Sequence, residues 1–348
     1  MKVSFLQVKR ALNVALFVLL LSVAGTKNTF AQTQLATLQH GDDLSVFYGT
    51  NAFVEAHTAA VGGDIITLSG GTFIPTTITK GITLRGAGCT TDTVANTAPT
   101  IFSSNITLDV ADTVNFLNVE GILFNCDVVA DKLNNPQFTR CYMNNFHLHA
   151  GSSYFCRNAQ FVNCFVKRFD NEHCISTMLI NSVVNQFSNS NSNYTCNAYN
   201  SIISYISTST GSISSLSAFN CIIKYTSSSS HSTYYSSFIN CIGIRGGSSG
   251  TYSPFSGSYT SNCVTYNSWE EVFETFTGTF EYDASFVLKD EIATGFHGTD
   301  GMQAGIYGGF MPYDIRPTYM VLKRCNVGSR TTIDGKLSVD IEVIAEGE

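Results

Sequence analysis

The chain has 348 residues, 44% of them hydrophobic and only 13% charged, with 28 Gly, 6 Pro and 11 Cys. High hydrophobicity with low charge excludes a disordered chain, and the length suffices for one large domain or two ordinary ones. Few residues remain for acid–base or metal chemistry, while the many Ser, Thr and Asn point to an extended all-β protein.

Residues 1–31 read as a secretory signal peptide. Lys2, Lys9 and Arg10 form a basic start, Leu12 to Ala24 an apolar run, and Thr29-Phe30-Ala31 a cleavage site before Gln32. The alternative, an N-terminal membrane anchor, needs a longer apolar run. Four of the 19 basic residues (Lys2, Lys9, Arg10 and Lys27) lie in this segment, so the remainder carries 15 basic against 26 acidic residues. That balance argues against nucleic acid as a partner, because phosphate neutralisation needs a basic surface. No later apolar run is long enough to span a membrane. The expected location is therefore exported: periplasmic, cell-surface or secreted.

Next, residues 52–61 place Phe53, Ala56, Ala60 and Val61 at helical spacing, a helix suited to lid the end of a core. The centre of the chain is a repeat. Asn125, Asn163, Asn181, Asn200, Asn220, Asn240 and Asn262 each stand between an apolar or small residue and a Cys or Ser that begins another short run, as in Phe219-Asn220-Cys221-Ile222-Ile223. Their successive gaps are 38, 18, 19, 20, 20 and 22, and a degenerate copy, Thr139-Arg140-Cys141, divides the first. A period near twenty with short apolar β-runs means a solenoid whose coils stack to bury a shared core. Period-2 alternation predicts that the residue before Asn, the Cys or Ser, and the residue two beyond it face inward. Ser exchanging with Cys at one position marks these thiols as buried small groups, with disulfides as the alternative. The Asn column suits amide-to-amide hydrogen bonding from coil to coil.

Beyond residue 267 the pattern changes. Ser268 to Leu288 is richer in acids and aromatics, with a short helical signal at Ser268 to Phe273; a Gly-rich stretch and two alternating strands, Thr318 to Arg324 and Leu337 to Ile344, follow. The expected organisation is thus a signal peptide over 1–31, a parallel β-helix with its N-terminal cap over 32–267, and last coils with a small C-terminal β-cap over 268–348.

Three stretches carry a family resemblance: Ala52-Phe53-Val54-Glu55-Ala56-His57 running on to Gly62-Gly63-Asp64-Ile65-Ile66-Thr67-Leu68 and Ile78 to Gly86, the Asn-Cys ladder, and Gly298-Thr299-Asp300-Gly301-Met302-Gln303-Ala304-Gly305-Ile306-Tyr307-Gly308-Gly309-Phe310. Together they resemble the right-handed parallel β-helix of the pectate-lyase-like superfamily, in the form of exported Bacteroidetes β-helix repeat proteins. The resemblance implies an all-β, right-handed solenoid with an N-terminal α-helical cap and a small C-terminal β-cap. It leaves function open, because this fold hosts lyases, hydrolases, epimerases, adhesins and passive scaffolds. For lyases of the superfamily it implies acidic residues holding Ca²⁺ with a basic residue as proton acceptor, and for hydrolases grouped aspartates.

The residues fit such chemistry poorly. Between His173 and Trp269 there is no Asp or Glu, so half the solenoid offers no carboxylate pair. The best charged constellation is Lys167, Arg168, Asp170, Glu172 and His173, which Arg140, Arg157, Asp127 and Asp131 of neighbouring coils could join. Lys167 or Arg168 could bind or deprotonate an acidic sugar while Asp170 or Glu172 holds a cation; the same residues suit a solvated loop with surface ion pairs. His147 and His149 would share a strand face but lack a third metal ligand. A binding surface is better supported. Four and five residues past each ladder Asn, the coils carry Lys167/Arg168, Asn185/Gln186, Ser204/Tyr205, Lys224/Tyr225, Ile244/Arg245 and Tyr266/Asn267, which would stack into a polar, aromatic stripe. Tyr205, Lys224, Tyr225, Arg245 and Tyr266 are its expected ligand-binding members. Ordinary decoration of a β-surface is the alternative. The leading expectation is non-catalytic binding of an extracellular polysaccharide or cell-surface component without a cofactor. Behind it stand a divergent polysaccharide lyase or glycoside hydrolase, the one case calling for Ca²⁺, and a structural or adhesive scaffold.

Overall fold

The computed structural model describes residues 34–92, 97–148, 156–189, 193–206, 213–225, 233–246, 252–276, 278–316, 320–331 and 337–345, with the backbone alone for 213–214, 225, 233–234 and 320 onward. Residues 1–31, expected to be a signal peptide, His149 and the side chain of Tyr225 lie outside that description. The chain forms a parallel β-solenoid of about eight turns. One wall is a twelve-stranded sheet ending at Tyr259–Ser261; a second, thirteen-stranded sheet runs through Tyr142–His147, Phe165–Asp170, Val183–Ser188, Ile202–Ile206 and Ile222–Tyr225 to Val264–Tyr266. Among the described residues no helix is long and apolar enough to cross a membrane.

The ladder Asn sits at the corner between the walls. Asn163, Asn181, Asn200, Asn220, Asn240 and Asn262 all have positive φ, between 44° and 57°. Asn is among the few residues that tolerate this left-handed conformation. From Asn163 to Asn240 each corner N–H donates to the next coil, as Asn181 does to Tyr199 O at 3.0 Å and Asn220 to Ile239 O at 3.1 Å. Arg140 (φ 51°) and Gly121 (φ 66°) hold the same corner in earlier coils. The degenerate copy at Arg140 is therefore a true member and Asn125 is not. Asn125 lies exposed within the continuous strand Ile122–Asn134, where the register with the next coil shifts.

The left-handed corner also corrects the expected inward columns. A single left-handed residue turns the chain, so alternation does not carry across it. The first wall points Phe161, Leu179, Ala198, Ala218 and Phe238 inward, two residues before Asn, all at 0% exposure. Ile180, Tyr199, Phe219 and Ile239, directly before Asn, lie half-buried on the outer face. Beyond the corner the expectation holds: Cys164, Ser182, Ser201, Cys221 and Cys241 face in, followed by Val166, Val184, Ile203 and Ile223. Phe138 and Phe161 stack at 5.1 Å within the core.

Cys and Ser exchange in this column because both give and accept a hydrogen bond. Ser182 Oγ donates to Phe161 O at 3.1 Å, and Cys164 Sγ donates to Phe138 O at 3.4 Å. In return, the Cys164 N–H donates to Ser182 Oγ and the Ser201 N–H to Cys221 Sγ. All ten cysteines with described side chains are free thiols. Burial pushes Cys141 and Cys241 upward in pKa, which keeps them protonated as donors to Val119 O and Ala218 O.

The N-terminal end is closed by a hairpin and a helix. Strands β1 (Leu35–His40) and β2 (Asp43–Tyr48) pair antiparallel, and β1 pairs antiparallel with β3 (Ile65–Leu68), the first strand of the parallel wall. Helix α1 (Ala52–Ala59) buries Ala52, Phe53 and Ala56, and the Phe53 ring lies 5.0 Å from Phe102. Val61, expected on the buried helix face, lies past the helix end and is 50% exposed. Lys80 Nζ donates to the carbonyls of His57, Thr58 and Ala60 at 2.6–2.9 Å, satisfying the free end of the helix. Burial, with Lys80 nearby, lowers His57 to about 4. At the opposite end the inward column runs Val166, Val184, Ile203, Ile223 and then Gly243. The Phe255 ring takes the space a larger residue would fill there, since a Cβ on Gly243 would lie 2.6 Å from it. Among the described residues no strand after Asn267 joins either wall. Met320–Thr331 and Leu337–Ala345 form a separate antiparallel hairpin.

Candidate functional site

The segment 269–316 turns back along the outside of the solenoid. The short runs of the second wall explain why. In Cys164-Phe165-Val166, Ser182-Val183-Val184, Ser201-Ile202-Ile203 and Cys221-Ile222-Ile223, two apolar residues stand side by side. One faces the core, and Phe165, Val183, Ile202, Ile222 and Ile242 face outward. They are buried nonetheless, under Trp269, Val272, Phe273, Phe280, Phe286, Leu288, Ile292 and Phe296. This second core begins at the 3₁₀ turn Trp269–Glu271, where the sequence showed its short helical signal.

Past residue 296 the segment becomes a glycine-rich strap lying on the Asn corner. Asn181 Nδ2 donates to Ile306 O at 2.8 Å and Gly308 O at 2.7 Å. Asn220 Oδ1 accepts from the Thr299 N–H at 3.0 Å, and Asn240 Nδ2 donates to His297 O. At Gly309 (φ 72°) a Cβ would lie 2.3 Å from Asn200 Nδ2, so that close approach requires glycine. The expected amide-to-amide bonding covers part of the column: Asn240 donates to Asn220 at 3.1 Å, and Asn262 donates to Asn240. Asn181 uses its amide on the strap instead, and Asn200 Oδ1 is left buried without a partner.

Where the wall and the returning segment meet, they enclose an open groove of about 530 Å³. Lys167, Asn185, Ser204, Tyr205 and Lys224 come from successive coils of the wall. Trp269, Glu270, Phe276, Gly278, Thr279, Phe280 and Glu281 come from the returning segment. Strand register sets Val166 beside Val184 and Val184 beside Ile203, so Lys167, Asn185 and Ser204 repeat at about 4.8 Å along the axis, and a register shift after Ile203 sets both Ser204 and Tyr205 against Lys224. Tyr205 is 39% exposed. Trp269 is buried, and Lys224 Nζ stands 5.6 Å from its ring centroid. Hydrogen bonds from its own N–H and from Ser268, with Lys224 nearby, hold the Glu270 carboxyl below its ordinary value.

The stripe and the charged constellation are thus partly regrouped. Tyr205 and Lys224 share the groove. Arg245 instead donates to Thr265 Oγ1 at 3.3 Å, and Tyr266 packs against the second core. Lys167 joins the groove, while Arg168 and Asp170 enter a separate network. Glu172 and His173 lie half-buried past the strand end, with the His173 ring 5.4 Å from that of Tyr194. Of the neighbouring-coil residues, Arg140 pairs with Glu120 at 3.3 Å, and Asp127 accepts from the Asn145 amide at 2.6 Å. Sequence reasoning missed the far wall, Trp269 to Glu281, although the density of acids and aromatics there was its signal.

In the separate network His147 Nδ1 lies 2.7 Å from Asp170 Oδ2, with Arg168 Nε at 3.6 Å. The hydrogen bond to Asp170 raises His147 against its desolvation. Burial would raise Asp170, but His147 and Arg168 outweigh it and leave its carboxyl below the ordinary value. The raised His contributes stability in full below 6.5 and loses it as pH rises through its folded value. The lowered Asp contributes above 3.8 and loses it as pH falls. The pair is therefore at full strength between these limits. Proton NMR titration of His147 is expected to give a pKa above 6.5 that drops to or below it in Asp170→Asn; a value unmoved by the substitution would remove Asp170 as the cause. Among the described residues no group of three or more His, Cys, Asp or Glu is placed to hold a metal ion.

The chain matches no known family model, and neither curated proteins nor solved structures give a significant match.

Proposed function

We propose that this chain is an exported, non-catalytic binding protein of the pectate-lyase-like kind, which holds an extracellular polysaccharide or cell-surface glycan in the groove beside Tyr205. The observation that carries this reading is the gathering of Lys167, Asn185, Ser204, Tyr205 and Lys224 from successive coils into one open groove. An exposed aromatic ring stacks on a sugar face, and amides, hydroxyls and ammonium groups bond its hydroxyls. A regular repeat along the axis suits a polymer better than a single small molecule.

One observation favours the second reading, a divergent glycoside hydrolase or polysaccharide lyase. Glu270 and Glu281 line the same groove as Lys167 and Lys224, a set able to supply acid–base chemistry. Native electrophoresis through gels cast with different polysaccharides, with and without Ca²⁺, separates the readings. Retardation in one polymer, with that polymer intact along the track, is the expected result. A cleared track would make the protein an enzyme. Unretarded migration of folded protein in every gel would leave the scaffold as the role.

A further inference from the structure

The twelve-stranded wall ends at β2, and among the described residues nothing pairs with the outer edge of that strand. An open edge presents unpaired N–H and C=O groups, and proteins commonly blunt it with Lys, Pro, a bulge or a covering segment. β2 contains neither Lys nor Pro, and its register with β1 is unbroken. Instead Leu44 is 65% exposed, Val46 41% and Tyr48 66%.

This edge is complementary to itself. Alternation sets Leu44, Val46 and Tyr48 on one face of the strand. The backbone bonds follow the same parity. The hairpin closes with His40 opposite Asp43, and the Gly49 N–H donates to Gln34 O at 2.8 Å. The odd-numbered residues of β2 are therefore bonded to β1, and the N–H and C=O groups of Leu44, Val46 and Tyr48 point at the open edge. Antiparallel pairing with a second copy about a two-fold axis at Val46 sets Val46 opposite the partner's Val46 and Leu44 opposite the partner's Tyr48. In that one register every outward backbone group finds a mate, and the exposed apolar side chains meet on one face. The acidic residues stay apart, because Asp43 falls opposite the partner's Gly49. A one-residue slip would break the backbone and side-chain matches together.

We propose that β2 is the interface of a symmetric homodimer, in which two copies join edge to edge about Val46. The proposal goes beyond the glycan reading and does not rest on it. Pairing would place two grooves on one particle, so that a polymer spanning both is held with higher avidity than one groove gives.

Sedimentation of the full chain tests it, over about 1 µM to about 100 µM, the range that a small edge interface populates. Val46→Pro removes the N–H donor at the two-fold axis and spares the bonds to β1, because that N–H faces outward. Val46→Lys sets two ammonium groups against each other. The wild type is expected to form a concentration-dependent dimer, with each substitution weakening association at least about 100-fold. Matching circular dichroism and unfolding midpoints are expected to show the variants folded. A wild type that stays monomeric throughout, or a dimer that survives either substitution, would overturn the proposal.

Discussion

Phe255→Ala is expected to destabilise the protein by about 3–5 kcal/mol, the range for deleting a buried aromatic ring that leaves a cavity. Phe255 is only 8% exposed, and its ring lies 5.0 Å from that of Phe238 in the coil before the last. It enters the core from the stretch preceding Tyr259–Ser261 and occupies the place left by Gly243. A solenoid otherwise presents an apolar cross-section at its end, and this ring covers it. The inward column explains the sequence choice: where Val184, Ile203 and Ile223 fill their own coils, Gly243 leaves room for a residue from elsewhere. Gly243→Val alone is expected to destabilise by overpacking against Phe255, by about 1–3 kcal/mol. Combined with Phe255→Ala it is expected to recover part of the loss, because valine then fills the vacated space. Urea unfolding of the single and double variants measures this coupling. Additive losses would show that the two positions do not share one space.

Asn181→Ala is expected to cost about 2–4 kcal/mol by joining two losses, the hydrogen bonds to the strap and the tolerance of a left-handed corner. Ile306 O and Gly308 O lose their amide donor, and alanine must adopt a φ of 44°. Asn181→Gly separates the terms. Glycine accepts the corner conformation, so its cost reflects the lost bonds, roughly 1–3 kcal/mol. Trp269, the one Trp in the chain, reports on the strap, because it is 4% exposed in the same second core that Ile306 of the strap joins. Loosening of the strap is expected to shift Trp269 emission to longer wavelength before global unfolding. Emission unchanged until global unfolding would mean that the Asn column does not hold the strap.

The solenoid was legible because its period repeats: corner Asn, inward Cys or Ser, and the Val or Ile beyond it recur every coil, and Lys167, Asn185, Ser204, Tyr205 and Lys224 follow from the same spacing. Three features were not legible. A left-handed residue leaves no mark in an alternation pattern, so Ile180, Tyr199, Phe219 and Ile239 were placed on the wrong face. Phe124-Asn125-Cys126 matched the motif while the true corner stood at Gly121, another residue that accepts positive φ. The returning segment has no period, and its aromatics suited an end cap as well as a second core. The readable sign was in its partner surface. The doublets Val183-Val184, Ile202-Ile203 and Ile222-Ile223 break the in–out alternation of a half-exposed strand, and paired apolar residues mark a sheet covered on both faces. The groove's far wall was hidden for the same reason.

The proposed binding surface is the groove between the second wall and the returning segment. The most direct test compares the wild type with Tyr205→Ala, Lys167→Ala and Tyr199→Ala in the polysaccharide gel that retards it. Tyr199 stacks on Phe219 at 5.2 Å on the outside of the other wall, so its loss removes an aromatic ring without touching the groove. The Tyr205 and Lys167 variants are expected to migrate freely while the Tyr199 variant is retarded as the wild type is. Full retardation of both groove variants would contradict it, and loss of binding in the Tyr199 variant alone would move the site to the opposite wall.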